Sequence, residues 1–117
     1  KKYHQIELDN ENNKISICDK TKNNKIIIDT QRSRMNLECE DKLTLKVSDC
    51  EIVINGKKND ITIKGNNVNV KAGQMLSITS DGNTSIKGQA VSIEASGGSV
   101  FVKSGSNITL NAPAVNI

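Results

Sequence analysis

The sequence predicts an all-β chain of about fourteen short strands, and three observations carry that prediction. Its apolar residues are mostly branched aliphatics: 15 Ile, 8 Val and 6 Leu in 117 residues, against one Phe (Phe101), one Tyr (Tyr3), no Trp and one Pro (Pro113). Branched aliphatics suit a pleated, half-buried surface. Fifteen Asn and eight Gly depress helix propensity and supply turn chemistry. Finally, a short unit recurs along the whole chain. Large rings normally bury roughly 150–250 Å² each in a small core, so a core built without them must be thin. The length suits one domain rather than two. Aliphatics placed this regularly argue against disorder.

The units follow one another in order. IELDNENNK starts at Ile6, ISICDKTKNNK at Ile15, IIIDTQRSR at Ile26, MNLECEDK at Met35, LTLKVSDC at Leu43 and IVINGKKND at Ile52. The copies then tighten: ITIKGNN from Ile61, VNVKAGQM from Val68, LSITSDGN from Leu76, TSIKGQA from Thr84 and VSIEASGGS from Val91. VFVKSGSN from Val100, ITLNAPA from Ile108 and the fragment VNI from Val115 complete the series. Fourteen starts give a mean period of about 8.4 residues.

Each unit alternates. Positions one and three are apolar apart from Thr84, and position five is small or thin, as at Gly65, Ala72, Ser80, Gly88, Ala95 and Ser104. Strand side chains alternate between faces, so these three positions share a side. Position two is mostly Ser, Thr or Asn, and position four is often charged (Lys46, Lys64, Lys71, Lys87, Glu94, Lys103), which makes the opposite side wet. Gly, Asn, Ser and Asp fill the remainder as corners.

Eight residues suffice for one strand and one bend. The expected closed solution is a triangular parallel β-helix, a β-solenoid in which every unit forms one side. Two versions fit: one chain winding alone with three units per coil, or three identical chains intertwined about one axis. Small residues at position five and the absence of a three-unit sequence period favour the intertwined homotrimer. Its core residues are then Ile61, Ile63, Val68, Val70, Ile78, Ile86, Val91, Ile93, Val100, Val102, Ile108 and Leu110. At roughly 4.8 Å per layer, fourteen layers give a rod on the order of 65 Å long.

Composition divides this stack without breaking it. Residues 1–60 carry 12 Lys and Arg and 11 Asp and Glu, whereas residues 61–117 carry four and two. The expectation is one continuous domain, with a wider, charged leading region over 1–60 and a regular octad needle over 61–117. Its first residue is Lys1, from which excision from a longer chain is expected. A net charge of +3 without stacking aromatics is no nucleic-acid footprint. Cys18, Cys39 and Cys50 show no metal-ligand spacing and read as free thiols.

The run from Ile61 to Ile117, with the asparagine-rich corner and Ile-Ile-Ile strand of DKTKNNKIIIDTQRSRMNLECEDKLTLKV upstream, resembles a known family. It is similar to the C-terminal β-helix of spike proteins of contractile injection machines: VgrG proteins of type VI secretion systems and the baseplate spikes of contractile phage tails and tailocins. The resemblance covers about Lys14 to Ile117. It implies a homotrimeric structural needle, driven through a target cell envelope when a sheath contracts, and so a transient membrane contact. It further implies assembly in a bacterial cytoplasm followed by expulsion, an upstream hub seated on the tube, and a PAAR-type tip protein or effector at the C-terminal end. Ala112, Pro113, Ala114, Val115 and Ile117 are the candidate tip contacts, with closure of the last core layer as the alternative role. Some family members hold iron with a His-x-His pair. The single histidine here, His4, stands at the opposite end, so neither metal nor cofactor is expected.

No enzyme is expected. The carboxylates fall on corners and outer faces rather than in a shared cleft. Cys39 sits at an inward position and Cys18 at an outward one, so neither pairs with His4 in an evident pocket. A trimeric fibre or adhesin stalk that binds surface glycans through its outward Thr, Asn and Lys remains the alternative.

Overall fold

A computed structural model of the chain describes residues 3–116, which are all-β and contain no helix. Strands β1 (Gln5–Asp9), β2 (Lys14–Cys18), β3 (Lys25–Asp29) and β4 (Arg34–Glu38) form one antiparallel sheet in sequence order. Strands β5 (Lys42–Val47), β6 (Cys50–Asn55) and β7 (Asp60–Lys64) form a second, also antiparallel and in sequence order. The alternation read from the sequence sets the register. Ile6, Ile17, Ile26 and Leu37 fall in one cross-strand row, and Leu8, Ile15, Ile28 and Met35 in the next. In the second sheet Leu43, Ile54 and Ile61 make one row and Leu45, Ile52 and Ile63 another.

Over residues 5–64 the pairing corrects the expected parallel winding: the chain doubles back as a meander, and its corners are hairpin loops. The physical reason lies in three loops of one design. Asp9 Oδ1 accepts the Asn12 N–H at 3.0 Å, Asp29 Oδ1 the Arg32 N–H at 3.0 Å, and Asn55 Oδ1 the Lys58 N–H at 3.2 Å. The last loop residue then takes a left-handed conformation: φ is 51° at Asn13, 52° at Ser33 and 52° at Asn59. An Asp or Asn that closes on its own backbone, followed by a left-handed residue, reverses the chain. Ser48, with φ 50°, opens the two-residue turn between Val47 and Cys50, as a type II′ hairpin requires.

The six-residue loop between β2 and β3 is knotted around Asp19. Its carboxylate accepts from the Thr21 hydroxyl at 2.8 Å and the Asn24 amide at 2.8 Å, while its N–H donates to Asn24 O at 3.0 Å. This loop also ties down the link between β4 and β5. Glu40 N–H donates to Asn24 Oδ1 at 3.1 Å, and Asn23 Nδ2 donates to Glu40 Oε2 at 2.9 Å. On the other side of the link, Gly56 N–H donates to Asp41 O at 2.9 Å and Lys57 Nζ lies 2.7 Å from Asp41 Oδ2.

Two compact units divide the chain, Lys1–Gly73 and Gln74–Ile117. Both sheets lie in the first. Beyond β7 the backbone changes character. It bends at residues 66, 73–74, 81–82, 89–90, 96–98, 105–106 and 112–113, which is about every eight residues, at the corners the octads predict. Among the described residues beyond Asn59 none has a positive φ, glycines included. These corners lack the left-handed residue found in every hairpin loop of the two sheets. No strand pairing or backbone hydrogen bond within the chain involves residues 66–116 among those described.

Candidate assembly interface

Each sheet has two unlike faces. On one, oppositely charged residues alternate across the strands: Asp9, Lys14, Asp29 and Arg34 share a row, as do Lys46, Glu51 and Lys64. At the other end of the first sheet's charged face, Lys25 Nζ lies 2.9 Å from Glu38 Oε2. On the two middle strands of the first sheet, Lys14, Cys18, Lys25, Ile27 and Asp29 are half-buried on this face. Ser16, at its centre, is only 5% exposed and donates its hydroxyl to Glu7 Oε2 at 3.3 Å. Ser16 is also the only described residue that is buried.

The aliphatic face is bare. No apolar residue among those described is buried, and Ile6, Leu8, Ile15, Ile17, Ile26, Met35 and Leu37 all stand exposed, Ile6 at 78%. Leu45, Ile52, Ile54, Ile61 and Ile63 are exposed in the second sheet. On β2 and β3 coverage is thus inverted relative to a self-contained fold, in which the apolar face is the hidden one. Exposed aliphatic rows of this kind make the face a candidate interaction surface.

The octads continue the pattern residue by residue. At position one, Val68, Leu76, Val91, Val100, Ile108 and Val115 are between 48% and 56% exposed. At position three, Val70, Ile78, Ile86, Ile93, Val102 and Leu110 are between 68% and 74% exposed. So narrow a spread means that the octads present their aliphatic side chains alike. Two corner glycines show how the corner is made. A Cβ on Gly88 would meet Ala90 O at 3.0 Å and a Val91 methyl at 3.7 Å, and one on Gly65 would lie 3.9 Å from a Val68 methyl. Glycine is placed there to let position five approach position one of the next unit.

Every predicted trimer-core residue from Ile61 to Leu110 is exposed in the single chain. Of the predicted tip contacts, Ala112, Pro113, Ala114 and Val115 are exposed, and Ile117 lies outside the described residues. All three thiols are free. Cys18 sits on the charged face between Gln5 and Lys25, and Cys50 sits opposite Val47 with its Sγ beside Gly65. His4, Cys18 and Cys39 border one shallow depression, at the Gln5 end of the first sheet. Among the described residues no three His, Cys, Asp or Glu side chains converge as metal ligands, and no helix is long and apolar enough to cross a membrane.

Titration shifts fall on the loops. Hydrogen bonds from the Asn24 and Thr21 side chains pull the Asp19 carboxyl down to about 2. The Asn12 side chain and N–H lower Asp9, and the Arg32 N–H lowers Asp29. Asp41 raises the Lys57 ammonium through their hydrogen bond. These groups close loops and converge on no shared point. The three Asp/Asn loops carried a readable signal that octad counting passed over: an Asp or Asn, three residues, an Asn or Ser, and then Lys, Arg or Asp, in DNENNK, DTQRSR and NGKKND. Compared with family models, with curated proteins and with solved structures, the chain finds no match.

Proposed function

We propose that the chain is the shaft of a homotrimeric structural spike of a contractile injection machine, of the type VI secretion or phage-baseplate kind, that pierces a target cell envelope. The observation that supports it most is the pairing of two deficits in one segment. Among the described residues, 66–116 leave their aliphatic row exposed and pair no backbone N–H with a backbone C=O of their own chain; the Gly82 and Ser106 N–H groups and the Asn83 C=O meet only serine hydroxyls. Buried backbone groups must be paired, and one arrangement answers both deficits: strands of other copies stack above and below while the aliphatic rows meet on an axis. Short segments that bend about every octad and close no hairpin fit the sides of a triangle, as in the intertwined parallel β-helix expected for the needle, here confined to the residues beyond β7. Residues 5–64 then place their aliphatic faces inward and their charge ladders outward. In this reading the chain performs no catalysis. It joins a hub and tube through an upstream segment, and Ala112–Val115 seat a tip protein or effector.

Sedimentation velocity tests the trimer. One elongated species of roughly 38 kDa, three times the 12.7 kDa chain, is expected, and a monomer or dimer overturns the proposal. The upstream coding sequence separates the spike from a fibre: a tube-seating hub supports the spike, and a secretory signal with an adhesin head refutes it.

A further inference from the structure

We propose that residues 5–64 act as a register clamp, which aligns the three chains before their octads pair; this inference rests on the trimer reading above. The need for a clamp arises from the repeats themselves. At position three the octads carry Ile63, Val70, Ile78, Ile86, Ile93, Val102 and Leu110, and position one is similarly Ile, Val or Leu apart from Thr84. These side chains differ by at most one methylene. A neighbouring chain displaced by one whole octad therefore meets nearly the same surface, with the same inward and outward faces. The uniform exposures at positions one and three show that the octads also present these side chains alike. Repeats this alike specify register weakly.

The two sheets have what the octads lack. Their strands pair within one chain, in a register fixed by hairpin loops of defined geometry. Their shape is not periodic. The Asp19 knot, the Glu40 and Asp41 ties and the tight Ser48 turn occur once each. Their aliphatic faces meet two other copies in one way only, because displacement along the chain direction sets Ile or Leu rows against loops. The self-paired sheets dock first, and β7 then hands three aligned chains to the first octad. The change from reversing to non-reversing corners, between Asn59 and residue 66, is the hand-over point.

The experiment uses the full chain and leaves the sheets intact. Cys18, Cys39 and Cys50 are changed to Ser, and a nitroxide is placed on Thr109→Cys, an outward position. A second version carries an extra copy of residues 76–83 inserted after Asn83. Each version alone is expected to form trimers with its labels on three separate faces. The two are then refolded together, and mixed trimers are isolated through a tag on the longer chain. With the clamp, chains align at the sheets, so the longer chain carries its label one octad out of step. Its label comes within about one strand spacing of a neighbour's, ~4.8 Å along the ladder. The expected result is mixed trimers whose EPR spectrum shows dipolar broadening absent from either parent. Mixed trimers with parental spectra, or two parents that refuse to mix, mean that the octads or the distal end set the register, and overturn the clamp. A monomeric parent overturns the trimer itself and is recognised before any mixing.

Discussion

Ile63 and Thr62 are neighbours on β7, and both are exposed in the single chain, yet substitution by Asp is expected to have opposite outcomes. Thr62 pairs with Val53 on the charged face, and Ile63 pairs with Ile52 on the aliphatic face. Ile63 is 59% exposed. Full burial of an Ile is worth about 1.5–3 kcal/mol, so covering what remains contributes about 1–2 kcal/mol per chain. Ile63→Asp forfeits that contribution and places a carboxylate on the axis, where the net penalty is several kcal/mol per ion. Three copies per trimer bring the total to about 10–20 kcal/mol, which matches or exceeds the roughly 5–15 kcal/mol by which a folded domain is ordinarily stable. Thr62→Asp stays in water and changes stability by less than about 0.5 kcal/mol.

Sedimentation velocity at neutral pH is the assay, with thermal melting by circular dichroism beside it. Ile63→Asp is expected as an unfolded monomer that regains assembly as the pH falls and its carboxyl protonates. Thr62→Asp is expected as a trimer with the parental melting curve. If the two variants sediment alike, the aliphatic face of β7 is not an interface and the assembly argument fails.

Further outcomes follow from individual groups. Asp19, held at about 2 by Asn24 and Thr21, stabilises its loop at pH values above the ordinary 3.8, and that support is lost as pH falls through about 2. The carboxyl carbon shift of Asp19 should therefore titrate near 2, and a midpoint at 3.8 would remove the knot. Ser33, at φ 52°, should gain about 0.5–1 kcal/mol as Gly and lose about 1–2 kcal/mol as Val, read as melting temperature; equal effects would count against the left-handed assignment. Phe101, 91% exposed at an outward position, should tolerate Ser without loss, although Val102→Ser beside it should destabilise by roughly 1–3 kcal/mol per chain in urea unfolding of the trimer. Reversal of that order would invert the assigned faces. Lys57→Ala should leave the melting temperature nearly unchanged, since the Asp41 pair lies in solvent.

The alternation was legible because it is a property of single residues. Ile52, Ile54, Ile61 and Ile63 fall on one face, and Glu51, Val53, Thr62 and Lys64 on the other, whatever the strands pair with. The corners of residues 66–116 were legible for the same reason, since Gly, Asn and Ser recur where the backbone bends. The direction of pairing over 5–64 was not. A corner that redirects and a corner that reverses draw on the same polar residues, and the difference rests on the φ of one residue, such as Asn13, Ser33 or Asn59. Period alone does not report φ. A nine-residue spacing with Asp or Asn closing the strand does, once read as loop chemistry rather than as a longer corner. Which residues from Ile61 to Leu110 share the aliphatic side was legible as a list, but what covers that side is an expectation only, because a row of aliphatics is alike whether a chain or its copy covers it.

The two corner types explain why charge and glycine are divided along the chain. A hairpin returns its strand to its own neighbour, so each outward residue faces another from the same chain, and opposite charges can be set across the ladder, as Asp9, Lys14, Asp29 and Arg34 are. Such loops need Asp or Asn acceptors and a left-handed residue, and among the described residues every positive φ lies at or before Asn59, the residue that leads into β7. A redirecting corner sends the strand away from its own neighbour. Its outward residues meet no fixed partner within the chain, so a charge there gains little, and only Lys64, Lys71, Lys87, Lys103, Asp81 and Glu94 remain after residue 60. What such a corner needs is room, which Gly65 and Gly88 supply against Val68 and Val91. At Gly65 and Gly88 glycine thus serves close approach rather than left-handed backbone, and seven of the eight glycines follow β7, Gly56 alone lying in a hairpin loop. Charge where the chain pairs with itself, and glycine where it does not, is the division expected of a protein that begins as a self-paired sheet and ends as a strand in need of copies of itself.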